Sequence, residues 1–283
     1  MPRPVGLLFR FASQWVAGED SAAALARAQE RNRQGMGVVL NTLGEHLRED
    51  GLIEAAVEEY RHLLKEIQVR KLDACVSVKL TQLGLALSED HCRPRLRRIV
   101  DTCRSTETFL WLDMESSVHT DATLRLYREA LREYPRSGVC LQANLRRTRA
   151  DLEAILAAGG HVRLVKGAYR EDSSVAFRDQ REIDANILSL TEVLFQEGEG
   201  FAVASHDSRV IDKAITMSRV RPKPFEFQFL LGVREPLKRE LVGQGYRVVE
   251  YVPYGPNWLA YFTRRLRERP RNILTMLRSL VSG

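Results

Sequence analysis

The sequence predicts an α/β fold, an eight-stranded parallel β/α barrel of the TIM type that is preceded by extra N-terminal helices. Eight short apolar segments, often β-branched, are typical of strands buried on both faces of a parallel sheet. Longer segments with apolar residues at helical spacing separate them, and this alternation is the pattern of a closed barrel. The strand segments are 38–40, 75–78, 109–112, 139–141, 162–165, 201–204, 225–230 and 247–251.

Helices are predicted between these strands. The segment 53–71 carries Ile53, Val57 and Tyr60 at helical spacing. Thr148, followed three residues later by Asp151, is predicted to be the N-cap of another helix. The other helical segments start at Thr120 or cover 175–195 and 208–217, and alanine-rich residues before Arg33 predict one or two extra helices.

A doubly wound open sheet is the main structural alternative. That fold usually carries a Gly-rich nucleotide-binding turn after its first strand, and neither GxGxxG nor GxxxxGKS/T occurs in this chain. No linker rich in Pro and Gly divides the chain. We therefore predict an N-terminal helical arm over residues 1–33, and a barrel over residues 34–283 whose last helix carries part of the site.

The composition is that of an ordinary globular protein. Hydrophobic residues make up 44% and charged residues 28% of the 283 positions, which argues against disorder, collagen and coiled coil. No apolar stretch approaches the roughly 20 residues that cross a bilayer. The apolar N-terminal run is broken by Arg10, which disfavours a secretory signal. Four cysteines without CxxC spacing predict reduced, buried thiols rather than metal ligands. We expect a cytoplasmic protein.

Positive charge is concentrated at one end of the chain. The formal net charge is +6, and the residues from Arg221 onward contribute 12 basic and 5 acidic side chains. Nucleic acid, a membrane surface or a small anionic ligand could each account for this excess.

Charged residues also interrupt the apolar strand segments. Lys79, Asp113 and Arg163 are the clearest cases, and burying such groups is costly unless they are paired or functional. Because reactive groups of β/α barrels gather where strands end, these three are candidate site residues. The alternative interpretation is a structural ion-pair network. His206 and Asp207, after the sixth strand, are either site residues or a helix cap with a surface histidine.

The last helix offers a carboxylate-binding set. Tyr261, Arg264 and Glu268 share one helical face, and Arg265 follows directly. Guanidinium groups bind carboxylates bidentately, so this set suits a small carboxylate, although a solvated helix face is the alternative.

Missing motifs narrow the reaction class. No GxSxG indicates acyl transfer, and no HExxH or HxH indicates a metal hydrolase, so no metal is expected. Lys79 or Lys166 could form a Schiff base, as in barrel aldolases. The residues alone indicate a barrel enzyme that acts on a small anion, with a phosphate-bearing cofactor as an open option.

Five strings in order along the chain resemble the proline dehydrogenase family, in its short monofunctional bacterial form. The resemblance implies a distorted barrel that binds flavin, usually FAD with FMN as the alternative. It implies oxidation of L-proline to Δ1-pyrroline-5-carboxylate by hydride transfer to the flavin, as the first step of proline catabolism, with a quinone as electron acceptor. The strings are 77–84 (SVKLTQLG), 111–116 (WLDMES), 162–169 (VRLVKGAY), 225–232 (FEFQFLLG) and 261–268 (YFTRRLRE).

The resemblance also implies roles for individual residues. Arg163, Asp113 and Lys79 match the family's catalytic positions, and Glu45 matches an acid that pairs with Arg264 when the site closes. Positions that match the substrate pocket are Lys79, Arg264, Arg265, Glu268, Tyr251, Tyr261 and Leu230. Positions that match cofactor contacts are Met114, Gln142, Arg163, Val165, Lys166, Gly167, Ser205 and His206.

Two other functions stay open at this stage. A Schiff-base barrel aldolase is the nearer enzymatic alternative. A nucleic-acid-binding protein is the other, since aromatic residues lie among the basic residues near the C-terminus, but stacking on bases requires exposed aromatic rings. We expect no nucleic-acid partner, and we expect the remaining C-terminal arginines to favour a peripheral contact with the inner face of an anionic membrane.

Overall fold

Eight parallel strands close into a barrel in sequence order, as the apolar segments predict. The computed structural model describes residues 12–259 and 261–263, so Arg264, Arg265 and Glu268 lie outside the described residues. Hydrogen bonds between the first and last strands complete the barrel. The strands are β1 (Gly37–Thr42), β2 (Ala74–Val78), β3 (Leu110–Leu112), β4 (Ser137–Gln142), β5 (His161–Val165), β6 (Phe201–Val203), β7 (Phe225–Leu230) and β8 (Val248–Tyr254).

Helices alternate with these strands in the described part of the chain. Their buried residues recur at helical spacing, as in the helix that starts at Asp50, where Ile53, Val57, Tyr60 and Leu64 pack inward. The helices are α1 (Ser21–Arg33), α2 (Asp50–Val69), α3 (Glu89–Thr106), α4 (Thr120–Glu133), α5 (Thr148–Ala157), α6 (Gln180–Glu197), α7 (Ser208–Val220) and α8 (Glu235–Gly243).

Two helix starts differ from the prediction. Thr148 is the first residue of α5 and not its N-cap, because its hydroxyl donates instead to the Gln142 carbonyl, at 2.5 Å. The predicted helix 175–195 begins only at Gln180. Asp179 caps it through the Arg181 amide, and Ala176 before it forms an isolated bridge with Leu145.

The barrel interior is filled by a layer that includes Val39, Trp111, Ala202 and Val249. A Cβ at Gly138 would lie 2.3 Å from the Trp111 ring, so glycine gives the indole its space on the neighbouring strand. The larger core lies between the outer surface of the barrel and the helices, as expected for this architecture.

Helix α1 packs against β1 and β8, and a buried ion network fixes it there. Arg31 of α1 bonds to Glu250 of β8 at 2.7 Å, and the same carboxylate pairs with the fully buried Lys238 of α8. Helix α1 ends at Arg33, but the division into an arm over residues 1–33 and a barrel over 34–283 stays a prediction.

Two expectations about the chain as a whole can be compared with the described residues. The four cysteines are free, and all except Cys75 are buried. Among residues 12–259 and 261–263, no helix combines the length and the apolar character needed to cross a membrane.

Candidate active site

A cavity of about 490 Å³ opens at the carboxyl ends of the barrel strands, where this architecture places its reactive groups. It falls in the size range of small-molecule sites. A second cavity, of about 580 Å³, opens at the opposite end, but it holds none of the predicted site residues. Fourteen predicted site residues line the first cavity: Glu45, Lys79, Asp113, Met114, Gln142, Arg163, Val165, Lys166, Gly167, Ser205, His206, Leu230, Tyr251 and Tyr261.

Asp113 is the centre of the charged network in this cavity. Its Oδ1 accepts from Ser77 Oγ at 2.7 Å and from Arg163 Nη2 at 3.0 Å. Its Oδ2 accepts from Tyr251 Oη at 2.7 Å and from Lys79 Nζ at 3.3 Å. One carboxylate therefore aligns two cations and a phenol that come from three other strands.

The electrostatic balance of this network favours an anionic ligand. Burial alone would raise the pKa of Asp113, but the charges of Lys79 and Arg163, with hydrogen bonds from Tyr251 and Ser77, hold that pKa below its ordinary value. Asp113 is therefore ionised at neutral pH. Two cations against one carboxylate leave a formal charge of +1 on this network.

Arg163 is held rigidly and still has donor capacity. Its side chain is 3% exposed, and its guanidinium carbon lies 4.9 Å from the Trp111 ring centre and 5.5 Å from that of Tyr251. Burial alone would lower the pKa of Arg163, but the charge of Asp113, together with smaller contributions from Tyr251 and two nearby cysteine thiols, raises it above its ordinary value. Its buried Nε has no hydrogen-bond partner among the described residues. A structural ion-pair network explains the pairing with Asp113, but not a buried donor left unpaired beside a cavity.

Lys79 depends on a residue that the sequence did not single out. Its Nζ lies 3.2 Å from Asn41 Oδ1, and the Asn41 amide donates to the Ser77 carbonyl at 2.8 Å and to Tyr60 Oη at 3.3 Å. A neutral amide thus orients Lys79 without cancelling its charge. The only sequence signal was a polar residue at the end of an apolar strand.

Most of the residues predicted to hold a cofactor lie along β4 and β5 and in the loop after β5, while the others follow β3 or β6. Gln142 Nε2 donates to the Glu115 carbonyl at 2.9 Å, and its Oε1 lies 3.4 Å from the Ala168 amide. Val165 and Met114 add apolar surface to the same cavity. A planar ring system with a polar edge fits this combination of an amide group and apolar surface.

Lys166 is held by two carboxylates. Its Nζ lies 2.5 Å from Asp184 and 2.6 Å from Asp207. Burial alone would lower the pKa of Lys166, but its bonds to these carboxylates outweigh that effect and raise it. A lysine that stays protonated is a poor Schiff-base nucleophile, so this geometry weakens the aldolase alternative at Lys166.

After β6, the structure combines the two interpretations of His206 and Asp207, which were site residues or a helix cap. Asp207 is the N-cap of α7 and accepts from the Arg209 amide. His206 and Ser205 nevertheless line the cavity. His206 Nε2 accepts from the Leu230 amide at 3.1 Å, which fixes the imidazole against β7.

Glu45, the predicted gate residue, lies in the loop after β1. Its Oε1 accepts from Tyr169 Oη at 3.2 Å. Tyr169 also lines the cavity and was not among the predicted site residues. The pairing of Glu45 with Arg264 stays a prediction, since Arg264 lies outside the described residues.

Gln228, like Asn41 and Tyr169, is a cavity-lining residue that was not among the predicted site residues. Its Nε2 donates to Glu226 at 2.6 Å, but its buried Oε1 has no partner among the described residues. It lines the cavity together with Arg163. An unpaired buried acceptor and an unpaired buried donor in one cavity fit a polar cofactor or substrate edge. The sequence feature that could have marked Gln228 is its polar side chain between the phenylalanines of β7.

Gly167 is expected not to tolerate a side chain. Its φ is +110°, and a Cβ there would lie 2.0 Å from Asn144 Oδ1. The Asn144 amide bonds to the Lys166 carbonyl at 2.8 Å, so the two segments cannot easily separate. We expect Gly167→Ala to lower the free energy of unfolding by about 1–3 kcal/mol, measured by urea denaturation.

Gly159→Ala is the matched control for this prediction. Gly159 also has a positive φ, +72°, but a Cβ there meets nothing within 4 Å. The loss of unfolding free energy in Gly159→Ala therefore measures the cost of alanine at a positive φ without a steric clash. Equal losses in the two variants would show that the contact with Asn144 is unimportant.

Comparison with known proteins shows which family the chain belongs to. The profile of the family described as proline dehydrogenase matches residues 24–273. Proline dehydrogenase 1 of Bacillus subtilis (strain 168) is 34% identical over 273 residues, which cover 95% of this chain and 90% of the relative. Proline dehydrogenase of Deinococcus radiodurans is 31% identical over 284 residues, which cover 98% of this chain and 92% of the relative.

A solved structure supports the fold independently. Proline utilization A (PutA) from Bdellovibrio bacteriovorus, inactivated by N-propargylglycine, superposes with a TM-score of 0.85 at 24% identity. The match covers 91% of this chain but only 32% of the PutA chain, so the likeness concerns the barrel. Because the family profile and the relatives that are 31–34% identical cover most of its length, the chain belongs to the proline dehydrogenase family.

Proposed function

We propose that this chain oxidises L-proline to Δ1-pyrroline-5-carboxylate with a bound flavin, FAD with FMN as the alternative, as the first step of proline catabolism. The observation that carries the proposal is the cluster of Lys79, Asp113 and Arg163 in the cavity at the carboxyl ends of the strands. Family membership supports proline as the substrate class.

The substrate carboxylate would bind to the positive side of the cavity. Lys79 is oriented by Asn41 and Asp113, and its flexible ammonium group is proposed to contact the substrate carboxylate. Arg264 and Arg265 are proposed to complete the carboxylate site, and Glu268 to lie beside the ring. Tyr251, Leu230 and Tyr261 supply apolar surface to the same cavity.

The cofactor-binding residues fit a flavin. Bound flavin supplies the two-electron acceptor for the oxidation. Gln142 and the unpaired Gln228 Oε1 offer polar contacts for a heteroaromatic edge, while Val165 and Met114 offer apolar ones. Residues proposed to hold the cofactor are Met114, Gln142, Arg163, Val165, Lys166, Gly167, Ser205 and His206.

Each residue of the charged cluster has a distinct role in this proposal. Arg163 provides a fixed positive charge that stabilises negative charge developing in the site. Asp113 keeps Arg163 and Tyr251 in position through its two oxygens. The amine of proline must be unprotonated before oxidation. Glu45 is proposed to act with Arg264 as a gate that excludes water during the reaction.

Electron transfer to a quinone, a cytoplasmic location and a peripheral membrane contact are further parts of the proposal. The basic residues Arg267, Arg269, Arg271 and Arg278 would favour an anionic surface. Nucleic-acid binding is disfavoured, because Tyr254, Trp258, Tyr261 and Phe262 are buried and cannot form a stacking surface.

The test is the visible absorbance of the purified protein. We expect flavin bands that bleach when L-proline is added without oxygen. Lys79→Met is the matched variant, because it removes one positive charge from the carboxylate site and leaves the apolar surface of the cavity in place. It is expected to keep the bands but to need about 10- to 100-fold more proline for half-maximal bleaching. A colourless protein, or bands that proline does not bleach, would contradict the proposal.

A further inference from the structure

A group of side chains at the rim of the cavity has the composition of a metal site. Glu45 and His46, in the loop after β1, approach Glu115, which follows β3. One ligand atom from each residue can be chosen so that all three lie within 4.8 Å of one another. The three residues come from two separate loops, so an ion bound between them would join those loops.

A second histidine lies beside this group. The ring centre of His119 lies 5.7 Å from that of His46, and the planes are tilted by 40°. His119 ends the short 3-10 helix Ser117–His119, in the same loop as Glu115. It is not one of the three residues whose ligand atoms lie within 4.8 Å of one another, so it is a neighbour of His46 and not a ligand.

Glu115 is oriented as metal-bound carboxylates commonly are. It is fully buried, its Oε1 accepts from the Thr81 amide at 3.0 Å, and its Oε2 accepts from Thr81 Oγ1 at 2.5 Å. Each carboxylate oxygen has a further lone pair after these bonds. Partners of this kind fix a ligand's orientation and raise metal affinity. The exposed side chain of His46 has freedom to turn toward the carboxylates.

We propose that Glu45, His46 and Glu115 form a binding site for a divalent transition metal ion of the zinc type. One imidazole and two carboxylates are a donor set that Zn²⁺ accepts with a water in the fourth tetrahedral position, whereas Mg²⁺ and Ca²⁺ prefer oxygen ligands alone. Bonds of about 2.0–2.2 Å would require the ligand atoms to close in from their present separations. No motif in the sequence indicates this site, because its three ligands are distributed over the 71 positions from Glu45 to Glu115.

Occupancy would affect the gate. Glu45 is proposed to pair with Arg264 when the site closes, and a metal ion bound to the Glu45 carboxylate would compete with that pairing. Zn²⁺ is therefore expected to inhibit proline oxidation. This consequence rests on the proposed function, whereas the metal site itself does not.

The experiment measures binding first. Holoenzyme treated with a chelator and dialysed is titrated with Zn²⁺ by calorimetry, and the metal retained after desalting is counted by mass spectrometry. We expect one ion per chain, with at least about tenfold weaker binding in His46→Asn. Asn is the matched replacement for His46, because its φ of +57° is a conformation that Asn tolerates. His62→Asn, an exposed histidine of α2, is the control and is expected to bind as the wild type does.

The second measurement concerns inhibition. Without metal, His46→Asn is expected to oxidise proline as the wild type does, but to resist Zn²⁺ concentrations that inhibit the wild type. Unchanged Zn²⁺ affinity in His46→Asn would overturn the site. Binding at this site without inhibition would support the site and overturn its effect on the gate. An enzyme that does not oxidise proline would refute the proposed function, and calorimetry would still decide the metal site.

Discussion

Arg163→Ala is expected to lower proline-dependent turnover by about 100- to 1000-fold. The guanidinium is almost fully buried and fixed by Asp113, Ser77 and the rings of Trp111 and Tyr251. A fixed charge in such a site needs no reorganisation during the reaction, so its loss acts on the rate. The measurement is dye-coupled turnover per bound flavin, after the flavin content of the variant has been determined from its absorbance.

Arg163→Lys is the control for this variant. Lysine keeps the positive charge but not the planar group that reaches both Ser77 and Asp113. We expect activity between that of the wild type and that of Arg163→Ala. A yellow Arg163→Ala protein with full turnover would contradict the role assigned to Arg163. Circular dichroism separates a catalytic loss from a folding defect.

The barrel could be predicted because its strands are buried on both faces. Such strands are nearly continuous apolar runs, and all eight were found within a few residues of their ends. The charges Lys79, Asp113 and Arg163 stood out against that background for the same reason. Of the fourteen predicted residues that line the cavity, six were candidates from the residues alone, namely Lys79, Asp113, Arg163, Lys166, His206 and Tyr261. The other eight were identified by their resemblance to a family.

The residues that escaped prediction are neutral or depend on distant partners. Asn41 and Ser77 are small polar residues in strands, and their importance arises from bonds to Lys79 and Asp113 that no local pattern encodes. Arg31 and Glu250 are 219 positions apart. Helix α6 starts late because Asp179 caps it, whereas apolar periodicity continues upstream through Val175.

Asp113→Ala is expected to have the largest effect on stability. Its removal leaves Lys79 and Arg163, two largely buried cations, beside each other without their shared counter-charge. Breaking a buried pair in this way costs about 3–5 kcal/mol of unfolding free energy. The measurement is urea denaturation at pH 7, followed by circular dichroism, on the variant and the wild type.

The pH dependence of this loss tests its electrostatic origin. Lys79 and Arg163 hold the pKa of Asp113 below its ordinary value, so ionised Asp113 stabilises the fold above its unfolded-state pKa of about 3.9. This stability is lost as the pH falls through the folded-state pKa. The difference between wild type and Asp113→Ala should therefore be largest at neutral pH and shrink in acid. Asp113→Asn, which keeps the shape but not the charge, should be nearly as destabilised as Asp113→Ala at pH 7. If Asp113→Asn retained wild-type stability there, hydrogen bonding and not charge would hold this cluster together.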